Sequence, residues 1–312
     1  MKKLTLIVSI IMAFILAQID QSRVFSHERP AQSKIIKNKN TAKKKPAPKR
    51  RPAPISSEEQ LKKLLIAKLS RIFPKEEVSK IFSDERMRVD RSIFQIKPPE
   101  CKLTDETSRP HTGYFDPDCG ILIPKSLQRG MDFIVKHQET LDDAYEKYGV
   151  EPEVIAGILR VETNFGSYLG KHSVLTTLYT RYILTPARRN MALEQIDFFL
   201  RLAKTNGWDP FAVQGSSWGA VGLPQFMPFS YWHFAVDGDN DGKVDLCWDK
   251  EKIEECGRAD AIYSVANYLA EHGWSDKVQD QRKAIASYYG TGGAYVNAVF
   301  AYARALKNLM SS

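Results

Sequence analysis

The stretch from Val154 to Gly166, V-I-A-G-I-L-R-V-E-T-N-F-G, sets a single acid at the end of an apolar stripe. Ile155, Ile158 and Leu159 recur at helical spacing, and Glu162 falls on their face. Burial disfavours the charged carboxylate, so this spacing predicts a raised pKa for Glu162 and a carboxyl that keeps its proton near neutrality, as a general acid must. Asn164 and Gly166 follow at once and predict a helix stop that brings the last turn to the edge of a cleft. The competing reading is a helix-terminal Glu that reaches water or pairs with a distant cation.

Two further stretches carry chemistry. Residues 215–228 read G-S-S-W-G-A-V-G-L-P-Q-F-M-P. Their small residues let backbone approach a ligand, Ser216 and Gln225 offer hydrogen bonds, and Trp218 and Phe226 offer faces for a sugar ring. Residues 237–245, D-G-D-N-D-G-K-V-D, fit the D-x-[DN]-x-[DN]-G pattern of an EF-hand-like calcium loop. Asp237, Asp239 and Asp241 supply oxygens, Gly242 the sharp turn and Lys243 a backbone carbonyl. Trp248 stands where a closing Glu is usual.

With these motifs in hand, the chain resembles the lytic murein transglycosylases of the B type, which are lysozyme-like. It matches V-E-T-x-x-G, S-x-x-G-A-x-G-x-x-Q-F-M-P, an Asp-rich loop and the D-A-I-x-S-V-A-N-Y run of residues 260–268, in that order. The resemblance covers about residues 125–312 and implies that Glu162 is the single catalytic acid and base. It implies cleavage of the MurNAc-β-1,4-GlcNAc bond of peptidoglycan with formation of 1,6-anhydro-MurNAc. Ser216, Gln225 and Tyr268 would line sugar subsites, Asn267 would support them, and Arg188 and Arg189 would meet the polymer. A solvated helix start is the alternative for the two arginines. Asp260 would close a structural, non-catalytic calcium site. An insertion at residues 247–258 leaves Glu251, Glu254 and Glu255 as rivals for that place. Tyr288-Tyr289-Gly290 and then Tyr295 depart from the family's Tyr-Asn ending, with Tyr288 a candidate sugar contact. A muramidase on the same scaffold and an inactive wall-binding protein are the alternative functions.

The elements that must position these residues are mostly helical. Ser57 predicts an N-cap before a stripe of Leu61, Leu64, Leu65 and Leu69. A short helix follows Pro74, and residues 92–96 predict a strand. Pro124 opens one long helix to about Tyr148, and further helices are expected at about residues 187–205, 259–272 and 293–309. The expected fold is mainly α, an α+β lysozyme-like catalytic domain over 124–312 with little strand, preceded by a helical and loop region over 57–123. A chain of 312 residues, 43% hydrophobic, can bury such a core.

The net charge of +8 is concentrated in a run from Lys34 to Arg51 that holds nine Lys or Arg and no acid. It predicts contact with a membrane or other anionic surface, and no motif predicts nucleic-acid binding. Residues 1–26 have the charged and apolar regions of an export signal or short membrane anchor, so a periplasmic or envelope location is expected. Residues 27–56 read as a basic, Pro- and Lys-rich linker reaching up to about 90 Å. Four cysteines agree with an oxidising compartment, and spacing favours Cys101–Cys119 and Cys247–Cys256 among three possible pairings. Peptidoglycan strands are the expected partner, and a monomer the expected state.

Overall fold

Helices α1 (Glu58–Leu69) and α2 (Lys75–Ser83) begin the ordered chain in the computed structural model, which describes residues 57–95, 100–102, 108–110, 113–253, 256–289 and 293–312. The leader, the linker and the Lys34 to Arg51 run lie outside the described residues. Ser57 and Gln60 form a reciprocal capping box at the start of α1. Leu61, Leu65 and Leu69 turn inward at i, i+4 and i+8, while Leu64 is 47% exposed and leaves the expected stripe.

Residues 91–94 form a 3-10 turn rather than the expected strand: Asp90 caps it by accepting from the Ser92 amide, and Ile93 is its buried anchor. The strands that do form are short. β1 (Glu100–Lys102) pairs antiparallel with β2 (Ser108–Pro110), and Cys101 in β1 is bridged to Cys119. The expected helix from Pro124 to Tyr148 is two: α3 (Pro124–Lys136) and α4 (Gln138–Tyr148), broken at His137.

Helix α5 (Pro152–Thr163) is the centre, with every residue from Val154 to Leu159 buried. Helix α6 (Val174–Leu184) packs on α7 (Arg189–Asn206), and β3 (His172–Ser173) pairs with β4 (Gln214–Gly215). The sequence V-L-T-T-L-Y-T-R-Y-I-L of α6, rich in β-branched and aromatic residues, carries no helical stripe and gave no expectation of a helix. Burial on all sides makes it one, and the 3-10 turn Pro186–Arg188 leads into α7. Then come α8 (Pro228–Phe234), α9 (Ala259–Glu271), α10 (Val278–Tyr289) and α11 (Gly293–Met310).

Helix α11, 18 residues long like α7, lies along α5. Gly157 permits the approach: a Cβ there would sit 3.1 Å from the Val299 carbonyl oxygen. Thus the C-terminal helix comes alongside the helix that ends in Glu162. No helix among the described residues is long and apolar enough to cross a membrane.

Candidate active site

Glu162 occupies the last turn of α5, part-buried, at a point where the backbone reverses sharply. Asn164 and Phe165 have φ of 50° and 56°, and Gly166 continues at 91°. Two non-glycine residues in the left-handed region cost on the order of 1–2 kcal/mol each. Thr163 holds this strained corner: its hydroxyl donates to the Leu223 carbonyl at 3.0 Å and accepts from the Gly166 amide at 3.1 Å. The end of the acid-bearing helix is thereby tied to the 215–228 loop.

Burial pushes the Glu162 carboxyl up to about 7. The Tyr295 hydroxyl donates to its Oε1 at 2.6 Å, which favours the ionised form and offsets part of the rise. No carboxylate among the described residues contributes to the shift. Tyr114, Tyr288 and Tyr295 are instead the groups that feel Glu162, and each has its phenol pushed upward, by burial first. The acid therefore faces a wall of tyrosines. Tyr289, 64% exposed, stacks on Tyr295 with centroids 4.9 Å apart and offers an open aromatic face beside it.

The 215–228 loop is a small hairpin in which Val221 and Phe226 exchange backbone hydrogen bonds. Gln225 sits in its turn at φ 50°, and its amide nitrogen donates to the Gly222 and Leu169 carbonyls, leaving its carbonyl oxygen for a ligand. Ser216 Oγ accepts from the Trp218 and Ala220 amides, so the hydroxyl shapes the turn and keeps a proton to donate. One expected sugar face is corrected and the other is halved, Trp218 remaining 41% exposed. Phe226 is 2% exposed and belongs to the core, and one face of Trp218 is covered by the Arg181 guanidinium, 3.5 Å from the ring centroid.

Other expected contacts are also reassigned. The Tyr268 hydroxyl donates to the Ser287 carbonyl and its ring is buried, stacked on His272, so it forms the wall behind the site. Tyr288 donates to the Pro224 carbonyl at 2.6 Å and braces the hairpin. Asn267 donates to the Phe234 carbonyl at the end of α8. Arg189 donates to the Tyr182 and Ile183 carbonyls, capping the end of α6, whereas Arg188 is exposed 5.1 Å from the Trp218 ring. Tyr295, Tyr289, Thr163 and Arg181 went unassigned in the sequence. Thr163 lies inside V-E-T, and Tyr289 and Tyr295 stand where the chain departs from the Tyr-Asn ending; Arg181 carries no local signal.

In the acidic loop, carboxylate oxygens of Asp237, Asp239 and Asp260 lie within 4.8 Å of one another. Asp260, at the start of α9, accepts from the Gly238 and Asp245 amides and spans the loop. Its carboxyl is pushed up by burial first and also by the charges of Asp239 and Asp237. The Asp241 amide donates to Asp237 and Asp239, while its own carboxylate is outside that group and accepts from the Lys243 amide. Exposed Glu251 does not join, and Glu254 and Glu255 lie outside the described residues. Three crowded carboxylates with hard oxygen donors fit a calcium ion. Asp245, Cys247 and Cys256 also approach one another, but the two cysteines are bridged and cannot ligate.

Comparison with known proteins gives a consistent set of relatives. The family model of the transglycosylase SLT domain matches residues 59–291. The membrane-bound lytic murein transglycosylase B of Escherichia coli K12 is 34% identical over 204 residues, covering 65% of this chain and 54% of that protein. The chain thus spans about half the length of that relative. Among solved structures, the E. coli lytic transglycosylase SLT35 in complex with bulgecin A is 25% identical with a TM-score of 0.66, covering 81% of this chain and 94% of that one. The same enzyme in complex with calcium gives 0.67 at the same identity and coverage.

Proposed function

Because the chain belongs to the transglycosylase SLT domain family, we propose that it is a peptidoglycan lytic transglycosylase, with Glu162 acting as acid and then as base. The observation that carries this reading is the Glu162 carboxyl, pushed up to about 7 by burial and shifted by no second acid among the described residues. Protonated Glu162 gives its proton to the glycosidic oxygen as the bond from C1 of the muramic sugar breaks. The C6 hydroxyl oxygen of that sugar then bonds to C1, and its proton passes to the Glu162 carboxylate. The acid is restored, water is not consumed, and the product is a 1,6-anhydro sugar. A pKa near the working pH suits one group to both transfers. Hydrolysis by contrast usually uses a second carboxylate about 5 to 9.5 Å away.

Mass analysis of glycan released from sacculi tests this directly. Products lighter by one water than their hydrolytic counterparts are expected; hydrated reducing ends would replace the transglycosylase reading with a muramidase. Sedimentation with sacculi and no soluble product would indicate a wall-binding protein without activity. An exported location, with residues 27–56 tethering the domain and the Lys34 to Arg51 run meeting an anionic surface, is part of the same proposal.

Calcium is proposed as a structural ion held by Asp237, Asp239 and Asp260, supported by their convergence and by the calcium complex of SLT35. Its role is to neutralise crowded carboxylates and hold the loop closed beside α9. Calcium at 100 times its dissociation constant stabilises by about 2.7 kcal/mol, which raises the melting temperature by about 8 °C for a domain of this size. Calorimetry with calcium against chelator reads the shift, and identical melting in both would remove the ion from the fold.

A further inference from the structure

Helix α11 has two faces. Tyr295, Val299, Tyr302 and Leu306 are buried: Tyr295 bonds Glu162, Val299 lies against Gly157 of α5, and Tyr302 and Leu306 pack on Gly130 of α3. Asn297, Phe300, Ala301 and Arg304, at i, i+3, i+4 and i+7, line a second stripe that faces away from that contact. Arg282 from α10, with Phe115 and Leu122, completes a cavity of about 590 Å³ over this stripe. The Arg282 guanidinium donates to Asn297 Oδ1 at 2.9 Å and lies 5.8 Å from the Phe300 ring centroid. Among the described residues no carboxylate lines the cavity, and none pairs with either guanidinium. Phe115 and Leu122 are 52% and 39% exposed and give its mouth an apolar lip.

We propose that this pocket holds the acidic stem peptide of the glycan strand being cut, an inference that rests on the peptidoglycan reading above. A peptide with free carboxylates and small aliphatic side chains matches both parts of the lining. Planar guanidiniums pair bidentately with carboxylates, and the Phe and Leu surfaces cover methyl groups. The position also fits. Phe115 follows Tyr114, which feels the Glu162 charge, and the pocket lies across one helix, about 10 Å thick, from the acid. A stem attached to the muramic sugar at the scissile bond must pass round that helix, a path of about 16 Å that takes about five residues of extended chain.

The test compares wild type with the Arg282→Ala/Arg304→Ala double variant on two polymers: glycan strands bearing stems and the same strands stripped of them by an amidase. KM on stem-bearing strands should rise about tenfold in the variant, with kcat and the kinetics on bare strands unchanged. Arg282→Lys/Arg304→Lys, which keeps the charge and the fold, should restore part of the loss. Equal kinetics of wild type and double variant on both polymers, or an equal loss on both, would overturn the proposal. If wild type cuts neither polymer, the activity reading falls, while titration of a free acidic stem peptide still judges the pocket. Binding by wild type and not by the double variant supports it; equal or absent binding overturns it.

Discussion

Replacing Glu162 by Gln is expected to lower release of anhydro-sugar products by about 10³-fold or more while leaving the fold intact. General acid–base catalysis contributes about 10²–10⁴-fold per group; here one carboxyl serves both proton transfers, so the upper part of that range applies. Wild-type kcat/KM should be level on the acid side and fall as pH rises through about 7, where the carboxyl gives up its proton. A variant that still released anhydro products at the wild-type rate would remove Glu162 from the mechanism.

The same substitution should change stability with a definite sign. Glu162 is raised from 4.5 to about 7, so between those values the folded chain holds a proton that the unfolded chain has lost. Stability then falls as pH rises through that window, by at most about 3 kcal/mol. Gln carries no such charge. The variant should melt higher than wild type above pH 7 and lose most of that advantage by pH 4.5. A gain in stability joined to a loss of activity is the signature of a carboxyl buried for function. Melting curves that keep the same offset at every pH would show that burial is not what raises the carboxyl.

The second large effect is expected at Gly222, where the hairpin meets the chain leaving the acidic loop. Its φ is 76°, and a Cβ there would overlap the Leu246 carbonyl oxygen and come within 2.8 Å of the Leu246 Cβ. The Leu223 amide donates to that same carbonyl at 2.7 Å, so the obstacle is fixed backbone and cannot swing aside. Gly222→Ala should cost about 3–4 kcal/mol, from overpacking together with an unfavourable φ, and lower the melting temperature by about 10 °C. Gly273→Ala is the control: φ is 85°, but nothing lies within 4 Å of the added methyl, so only the backbone preference, about 1 kcal/mol, is lost. Equal melting of the two variants would mean that the Leu246 contact does not constrain the loop.

These positions show how the candidate site is assembled. The hairpin is held on one side by Thr163, which bonds Leu223, and on the other by Leu246, which precedes the Cys247–Cys256 bridge. Ile253, inside that bridged segment, lies where a Cβ on Gly166 would come within 3.2 Å of it. The insertion therefore packs against the turn that follows the acid, linking the acidic loop to the end of α5. Loosening either tie would move Glu162 relative to Ser216 and Gln225 without changing any of the three.

Much of this was legible in the sequence wherever the cause is local. The apolar spacing of α5 and the Asn164 to Gly166 stop are decided within one helical turn, and they put Glu162 on the inward face; the tyrosines that bury it come from remote segments. The Asp-x-Asp-x-Asp-Gly pattern and the Ser57 cap likewise depend on neighbours a few residues apart. What tertiary structure alone decided are the partners across long separations. Tyr295 stands 133 residues from the carboxylate it bonds, and nothing in its local sequence separates it from Tyr288, whose hydroxyl goes to Pro224 instead. Tyr268 and Phe226 read as sugar-facing but are buried, because aromatic rings satisfy a core and a cleft equally well until packing chooses. Periodicity tells which face of a helix turns inward; which side chain from a remote helix meets it depends on how α11 lies along α5, and that is a property of the packed whole.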